Sequence, residues 1–437
     1  MMRSRFIRQH LKKELTLFDA VVYGMGIIIG AGIYALIGKG AGLAGNALWL
    51  SFVIGGFVAL FSGFSYAELS SAFSKDAAEY NFTKHATRNR MFSFVIGWLT
   101  IFAGIAAMAT VSTGFAGYFH SLTGLPEIPV AVGLLFFCMV VNLLGLKFST
   151  RLVVLTSIVQ VIGLMFVISL GMTYIGKFGM ADIFDFSKGI EGIVAASSLM
   201  FFAYIGFEGI ANMSEEIRNS KKVVPKALII SIIGATVIYI LIAIVSVSMA
   251  DYGALAVSEA PLALAVSTAS VKLGYAMPTG FLLSIIALFA TASTVLIGSI
   301  MTSRILYGMR EDHSFPESLG YIHPKNNVPY MSVLVTSIFA IVLAAVGNIM
   351  LLANLTNFAI FAAFFSVNFS LIILRTDASF KPKFRAPLSI GNISISAVVG
   401  AISCAILLSK SGNTAITYGS LIMLAGIIYF MSQNENP

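Results

Sequence analysis

Long apolar runs separated by short polar connections organise this chain. Twelve are visible, near 16–37, 46–73, 91–118, 128–146, 152–175, 190–213, 227–250, 278–303, 329–347, 350–374, 388–409 and 413–431, the eighth starting as early as Met277. Each is close to or longer than the roughly 20 apolar residues that a helix needs to cross the hydrocarbon core of a bilayer. Backbone groups in hydrocarbon have no water to bond, so a crossing segment is a helix or belongs to a closed barrel. None of the runs alternates polar and apolar residues over ten-residue stretches as barrel strands do. The pattern therefore predicts an all-α integral membrane protein with twelve transmembrane helices. The connection from Asp251 to Met277 carries a short apolar pattern, Pro261 to Val266. It is too short to span and is expected to fold over one face as a lid.

Composition agrees with that reading. Of 437 residues, 58% are hydrophobic and 11% charged, against about 25% charged in an average soluble domain. The net charge of +8 does not point to nucleic acid, because the cations follow the spans. When the sides are alternated from the N-terminus, 22 of the 27 Lys and Arg fall on one side, beginning with Arg3, Arg5, Arg8, Lys12 and Lys13. Only Lys39, Lys177, Lys188, Lys272 and Lys410 fall on the other. Cations concentrate on the cytoplasmic side of membrane proteins, so both termini are expected there, in a multi-pass protein of the plasma membrane. The start is basic and then apolar, but the apolar stretch is too long for a cleaved leader and no small-x-small site follows it. Cys138 and Cys404 lie inside apolar runs and read as core residues. The five histidines, His10, His85, His120, His313 and His323, lie at ends or connections without metal-ligand or triad spacing. No nucleotide-binding motif and no filter-like element is present. An enzyme, an ATP-driven pump and a channel are all disfavoured, and neither cofactor nor metal is expected.

Two spans are expected to break. The first carries Gly24, Gly26, Gly30 and Gly32 at mid-depth, and the sixth carries Gly206, Glu208 and Gly209. Glycine weakens a helix interior. Interrupted helices at matching positions of two five-helix halves point to an inverted-repeat transporter. Each break offers free N–H groups at one helix start and free carbonyls at the other end, with matching dipole charge. A zwitterion fits between them. Its carboxylate would take N–H groups near Gly30, Ala31 and Gly32, and its ammonium would take carbonyls near Ile28, Phe202 and Ile205, with Ala203 inside the break. Against this stands plain helix packing, since Gly26 and Gly30 form a small-xxx-small pair. Glu208 is the sharpest single residue, because acids deep in a span are costly and tend to be functional. Glu68 sits nearer a span end, where pairing with a cation of a connection is at least as good a reading as function. Glu215 and Glu216, close to Arg218, Lys221 and Lys222, read as a solvated cluster or as a gating network.

At these residues the chain resembles the amino acid–polyamine–organocation superfamily, whose members have the LeuT-type fold. The stretches that carry the resemblance are Ile29 to Tyr34, Tyr66 to Ser71, Glu79 to Phe82, Phe202 to Glu208 continuing through Ser214 to Asn219 and Val224 to Ala227, and Ser303 to Met309 with Asp312 and Pro316. The resemblance implies a single domain over 1–437. A first repeat at 16–175 and an inverted second repeat at 190–374 would be followed by two additional helices at 388–431. It also implies alternating access by a rocking bundle of spans 1, 2, 6 and 7, substrate held by backbone at the two breaks, and an aromatic gate at Phe202. The expected function is a permease for amino acids, neutral ones first and cationic ones next. A polyamine or other organic cation is the alternative cargo; it has no carboxylate for the N–H ends. Where proton-coupled relatives carry a buried Lys nine residues after an Arg, counting from Arg151 gives Gln160, which cannot titrate. Exchange, uniport, proton coupling through Glu208, and a sodium site with Ser293 and Thr294 as candidate ligands remain open, so H+ and Na+ are both candidate coupling ions. At those two hydroxyls, bonding back to their own helix is the stronger reading.

Overall fold

The computed structural model describes residues 16–73, 78–212, 217–310, 315–323 and 328–434. Arg3, Arg5, Arg8, Lys12, Lys13, Lys75, Ser214, Glu215, Glu216, Asp312, His313 and Lys325, and with them the paired acids read as a solvated cluster or gating network, lie outside the described residues. The described chain is almost wholly helical, in the order α1 Leu17–Ile28, α2 Ala31–Ala44, α3 Leu48–Ala72, α4 Ala78–Thr87, α5 Arg90–Thr123, α6 Glu127–Leu144 and α7 Leu146–Phe178. There follow α8 Gly189–Met200, α9 Glu208–Asn212, α10 Ser220–Met249, α11 Tyr252–Val257, α12 Pro261–Leu273 and α13 Thr279–Arg310. The last four are α14 Tyr330–Val346, α15 Ile349–Leu374, α16 Ile395–Ser409 and α17 Asn413–Asn434.

Among the described residues, nine segments are long and apolar enough to cross a membrane, and α1, α12, α14 and α16 are shorter apolar helices. One of the nine joins α2 and α3 across a single 3₁₀ turn at Gly45–Ala47. Local chemistry sets the helix ends. Thr16 and Asp19 form a reciprocal capping box at the start of α1. The side chains of Asn89, Asn348 and Ser394 cap α5, α15 and α16. Gly124 ends α5 at φ 72°, a left-handed conformation that glycine adopts without strain.

The eleventh apolar run is helical over less of its length than expected. Residues 388–394 are not helical: Ser389–Ile390 pairs antiparallel with Ile393–Ser394 around Gly391 at φ 58°, and α16 begins only at Ile395. The 251–277 connection holds two helices, α11 and α12. Lys39 on α2 donates to the Ala256 carbonyl of α11 at 2.8 Å, and the bare Gly38 backbone lies against the Leu255 carbonyl.

Glu68 settles into the pairing that its position at a span end suggested. Arg375, at the end of α15, grips its carboxylate with Nε at 2.9 Å and Nη2 at 2.5 Å, and the Ala386 N–H adds a third donor at 2.7 Å. Both side chains are buried. This two-pronged, fully bonded pair ties α3 to the segment between α15 and α16. On the same side Arg88, just past α4, reaches Asp377 at 3.6 Å.

Candidate functional site

The first span does break. Helix α1 stops at Ile28, Gly30 is extended, and α2 starts at Ala31. The sixth breaks too: α8 ends at Met200, a 3₁₀ turn covers Phe201–Tyr204, and α9 starts at Glu208. The turn between them needs glycine, because Gly206 has φ 118° and a Cβ there would stand inside the Ile27 side chain. The two breaks touch. A Cβ at Gly32 would lie 2.8 Å from the Ala203 Cα and 3.1 Å from the Phe202 ring. Glycine at 32 and 206 thus lets two backbones meet at the level where both helices are interrupted.

Side chains from distant helices occupy many of the backbone groups that the breaks release. The Tyr239 hydroxyl of α10, fully buried, lies 2.5 Å from the Ile28 carbonyl and 2.8 Å from that of Ala203. It has one proton for two acceptors. The Ile28 carbonyl also accepts the Gly30 N–H at 2.7 Å. Thr294 of α13 accepts the Ala31 N–H at 3.1 Å and donates to Ala290. Gln160 of α7 donates from Nε2 to the Gly26 carbonyl at 2.9 Å, while its Oε1 is buried without a partner among the described residues. Asn357 of α15 donates to the Ser198 and Leu199 carbonyls at the end of α8. Of the three N–H groups expected to be free, two are therefore taken, by Ile28 and Thr294. Among the described residues, the Gly32 N–H and the Ile27 carbonyl have no hydrogen-bond partner.

Beside the breaks lies a mostly apolar cavity of about 130 Å³. One water needs only about 10–15 Å³ by this kind of measure, so the space suits a small solute. Ile28, Gly30, Ala31, Gly32, Phe202, Ala203, Ile205 and Glu208 all line it, as does Thr294. Gln160 acts one layer behind, through Gly26. Ser293 is buried and bonds back to Ala290, away from the cavity lining. Along α13 the cavity runs from Thr294 to Ile305, about 16 Å at 1.5 Å per residue, toward the side that carries α4. Glu208 turns its carboxylate back onto the Gly206 N–H, with oxygens at 2.9 and 3.1 Å, and so closes the turn of its own break.

Two residues of the site escaped the sequence reading: Tyr239, which bonds the backbone of both breaks, and Glu79, which lines the cavity. Tyr239 was not singled out, although a phenol at mid-span must find an acceptor. Glu79 looked like part of a connection. It sits in the first turn of α4, buried, and its Oε1 accepts the Tyr66 hydroxyl at 2.8 Å. Burial pushes this carboxyl above the usual glutamate range, against the pull of its hydrogen bonds, that of Tyr66 among them. Tyr66 packs edge-on against Phe82, Phe207 and Phe364, so this network connects α4 with the sixth-span break.

A family model described as amino acid permease matches residues 15–432. The branched-chain amino acid permease BcaP of Bacillus subtilis is 29% identical, over 98% of this chain and 94% of the relative. The methylthioribose transporter of the same organism is 27% identical over the same shares. Cationic amino acid transporter 3, mitochondrial, of Arabidopsis thaliana is 30% identical over 84% of this chain and 63% of the relative.

Proposed function

This chain belongs to the amino acid permease family of the amino acid–polyamine–organocation superfamily, and from that premise we propose how it carries its cargo. It is a multi-pass membrane transporter, not an enzyme. In our reading it has twelve spans in a LeuT-type arrangement within a single domain, with repeats at 16–175 and 190–374 and two further helices at 388–431. It sits in the plasma membrane with both termini cytoplasmic.

One observation carries the mechanism: two glycine-interrupted helices meet at a small apolar cavity with backbone groups of both signs left over. A zwitterionic amino acid places its carboxylate on the N–H groups at the start of α2, led by Gly32, where the helix dipole also favours negative charge. Its ammonium lies among the carbonyls of Ile27, Ala203 and Ile205. Phe202 packs over Gly32 as the gate between the site and the α11–α12 side. The cavity extends along α13 toward α4, which supports a cytoplasm-facing state of an alternating-access cycle. Glu208 can exchange its bond to Gly206 for a proton or a substrate contact, and so is the coupling residue in this scheme. Gln160 holds the end of α1 without titrating.

The test is uptake of labelled amino acids into proteoliposomes holding the purified chain, with an inward proton gradient, a sodium gradient, or unlabelled amino acid inside. Uptake in any of these arms supports the reading and assigns the coupling. Putrescine should fail to compete, because it lacks the carboxylate that the α2 start would bind. Folded protein that carries putrescine and no amino acid would overturn the zwitterion model in favour of the organic-cation alternative.

A further inference from the structure

Glu79 and Glu208 line the same cavity, and among the described residues no Lys, Arg or His lines it. Two carboxyl groups facing one low-dielectric space without a counter-charge cannot both ionise cheaply. A neutral zwitterion does not change this, since its single ammonium is used at the breaks. A cation carried on a flexible stem does. The cavity extends along α13 for about 16 Å from the break. The wall on the way is mostly apolar, with Met301, Ile305 and Phe364 beside Thr100 and Thr302, and such a surface suits a methylene stem with a charged tip. Two acids and scattered threonine hydroxyls are a poor cage for a bare hard cation, which needs about six or more oxygens gathered at one point. They suit an ammonium or guanidinium, which brings its own donors.

We infer that Glu79 is a specificity-determining residue that receives the positively charged side chain of a dibasic amino acid, with the α-amino and α-carboxyl groups held at the breaks. The inference rests on the amino acid reading of the same site. Glu79 is well placed for the task. It lies in the first turn of α4, where the helix dipole favours an anion, and the Tyr66 hydroxyl fixes its Oε1.

The experiment compares substrates that differ only in the terminal charge, in proteoliposomes holding the full chain. Lysine is set against norleucine and arginine against citrulline as competitors of labelled lysine and labelled leucine, in the wild type and in Glu79→Gln. The wild type should prefer each charged member by about 10- to 100-fold, the worth of a charge-assisted hydrogen bond. Glu79→Gln should lose that preference while still binding norleucine. The wild-type comparison stands even if the variant fails to fold. Carriage of norleucine and leucine without preference for lysine or arginine would overturn the inference and leave the amino acid reading intact. Retention of the full preference in folded Glu79→Gln would also overturn it. Carriage of no amino acid at all by folded protein would instead overturn the reading on which it rests.

Discussion

Replacing Tyr239 by Phe removes one oxygen from a fully buried position where it lies 2.5 Å from the Ile28 carbonyl and 2.8 Å from the Ala203 carbonyl. The ring stays, so packing against Phe52 and Tyr204 is kept. What is lost is the hydrogen-bonded bridge from the Ile28 carbonyl at the end of α1 to the Ala203 carbonyl in the break of the sixth span. The Ile28 carbonyl keeps the Gly30 N–H, so the acceptor left buried without a donor is that of Ala203, at a cost of about 1–3 kcal/mol, or about 5- to 150-fold in an equilibrium constant. The hydroxyl has a single proton, so the penalty is counted once. Tyr204→Phe is the matched control. Its hydroxyl is equally buried and donates to the Phe52 carbonyl at 2.7 Å, which ties the sixth-span turn to α3 and not to the first-span break. Both variants should melt a few degrees lower in detergent. Only Tyr239→Phe should weaken substrate affinity by the stated factor, read by equilibrium binding of the labelled substrate. Equal affinity loss in the two variants, or wild-type affinity in Tyr239→Phe, would refute the idea that this hydroxyl sets the geometry of the site.

Three further outcomes follow from named contacts. Gly206→Ala must place a Cβ at φ 118° inside the Ile27 side chain, a backbone strain of about 1–3 kcal/mol before any clash; uptake should fall sharply, whereas Gly133→Ala, with open space around it, should transport normally. Arg375→Met leaves the Glu68 carboxylate buried without its cation and should cost about 3–5 kcal/mol, read as a large drop in melting temperature; an unchanged melt would show that the pair holds nothing together. Gln160→Leu removes the donor to the Gly26 carbonyl and should raise the substrate concentration for half-maximal uptake by about tenfold, and Gln160→Lys should make uptake pH-dependent where the glutamine protein shows no dependence through this residue.

The apolar runs were legible because lipid imposes a length and a composition on any crossing helix. The breaks were legible because glycine at mid-span has few other uses, and Glu208 because an acid inside a span is conspicuous. The tertiary partners were not. Glu68 and Arg375 lie 307 residues apart, and no local pattern assigns one to the other. Thr294 reads as one more hydroxyl bonded to its own helix, which it is; that it also accepts the Ala31 N–H depends on where α13 crosses α2. Glu79 was legible as a residue but not as part of the cavity, because only the fold brings the first turn of α4 beneath the sixth-span break. The boundary of α16 was missed because residues 388–394 are apolar enough to continue a span while Leu388 and Gly391, both at positive φ, turn the chain into a ribbon.

A broken helix inside a membrane releases more polar groups than one substrate can satisfy, and unsatisfied groups are expensive in hydrocarbon. The rest of the fold must therefore take up those that the substrate does not need. Here Asn357 takes the end of α8, Gln160 and Tyr239 take the end of α1, and Thr294 takes the first N–H of α2. Each comes from a different helix: α15, α7, α10 and α13. Among the described residues, the groups that this leaves at the first break include the Gly32 N–H on one side and the Ile27 carbonyl on the other. A donor and an acceptor separated by one interrupted turn match the two charged ends of an α-amino acid. On this argument the capping side chains, more than the glycines, define which solute the site accepts. Changing a cap should then alter selectivity, whereas changing a glycine should abolish binding altogether.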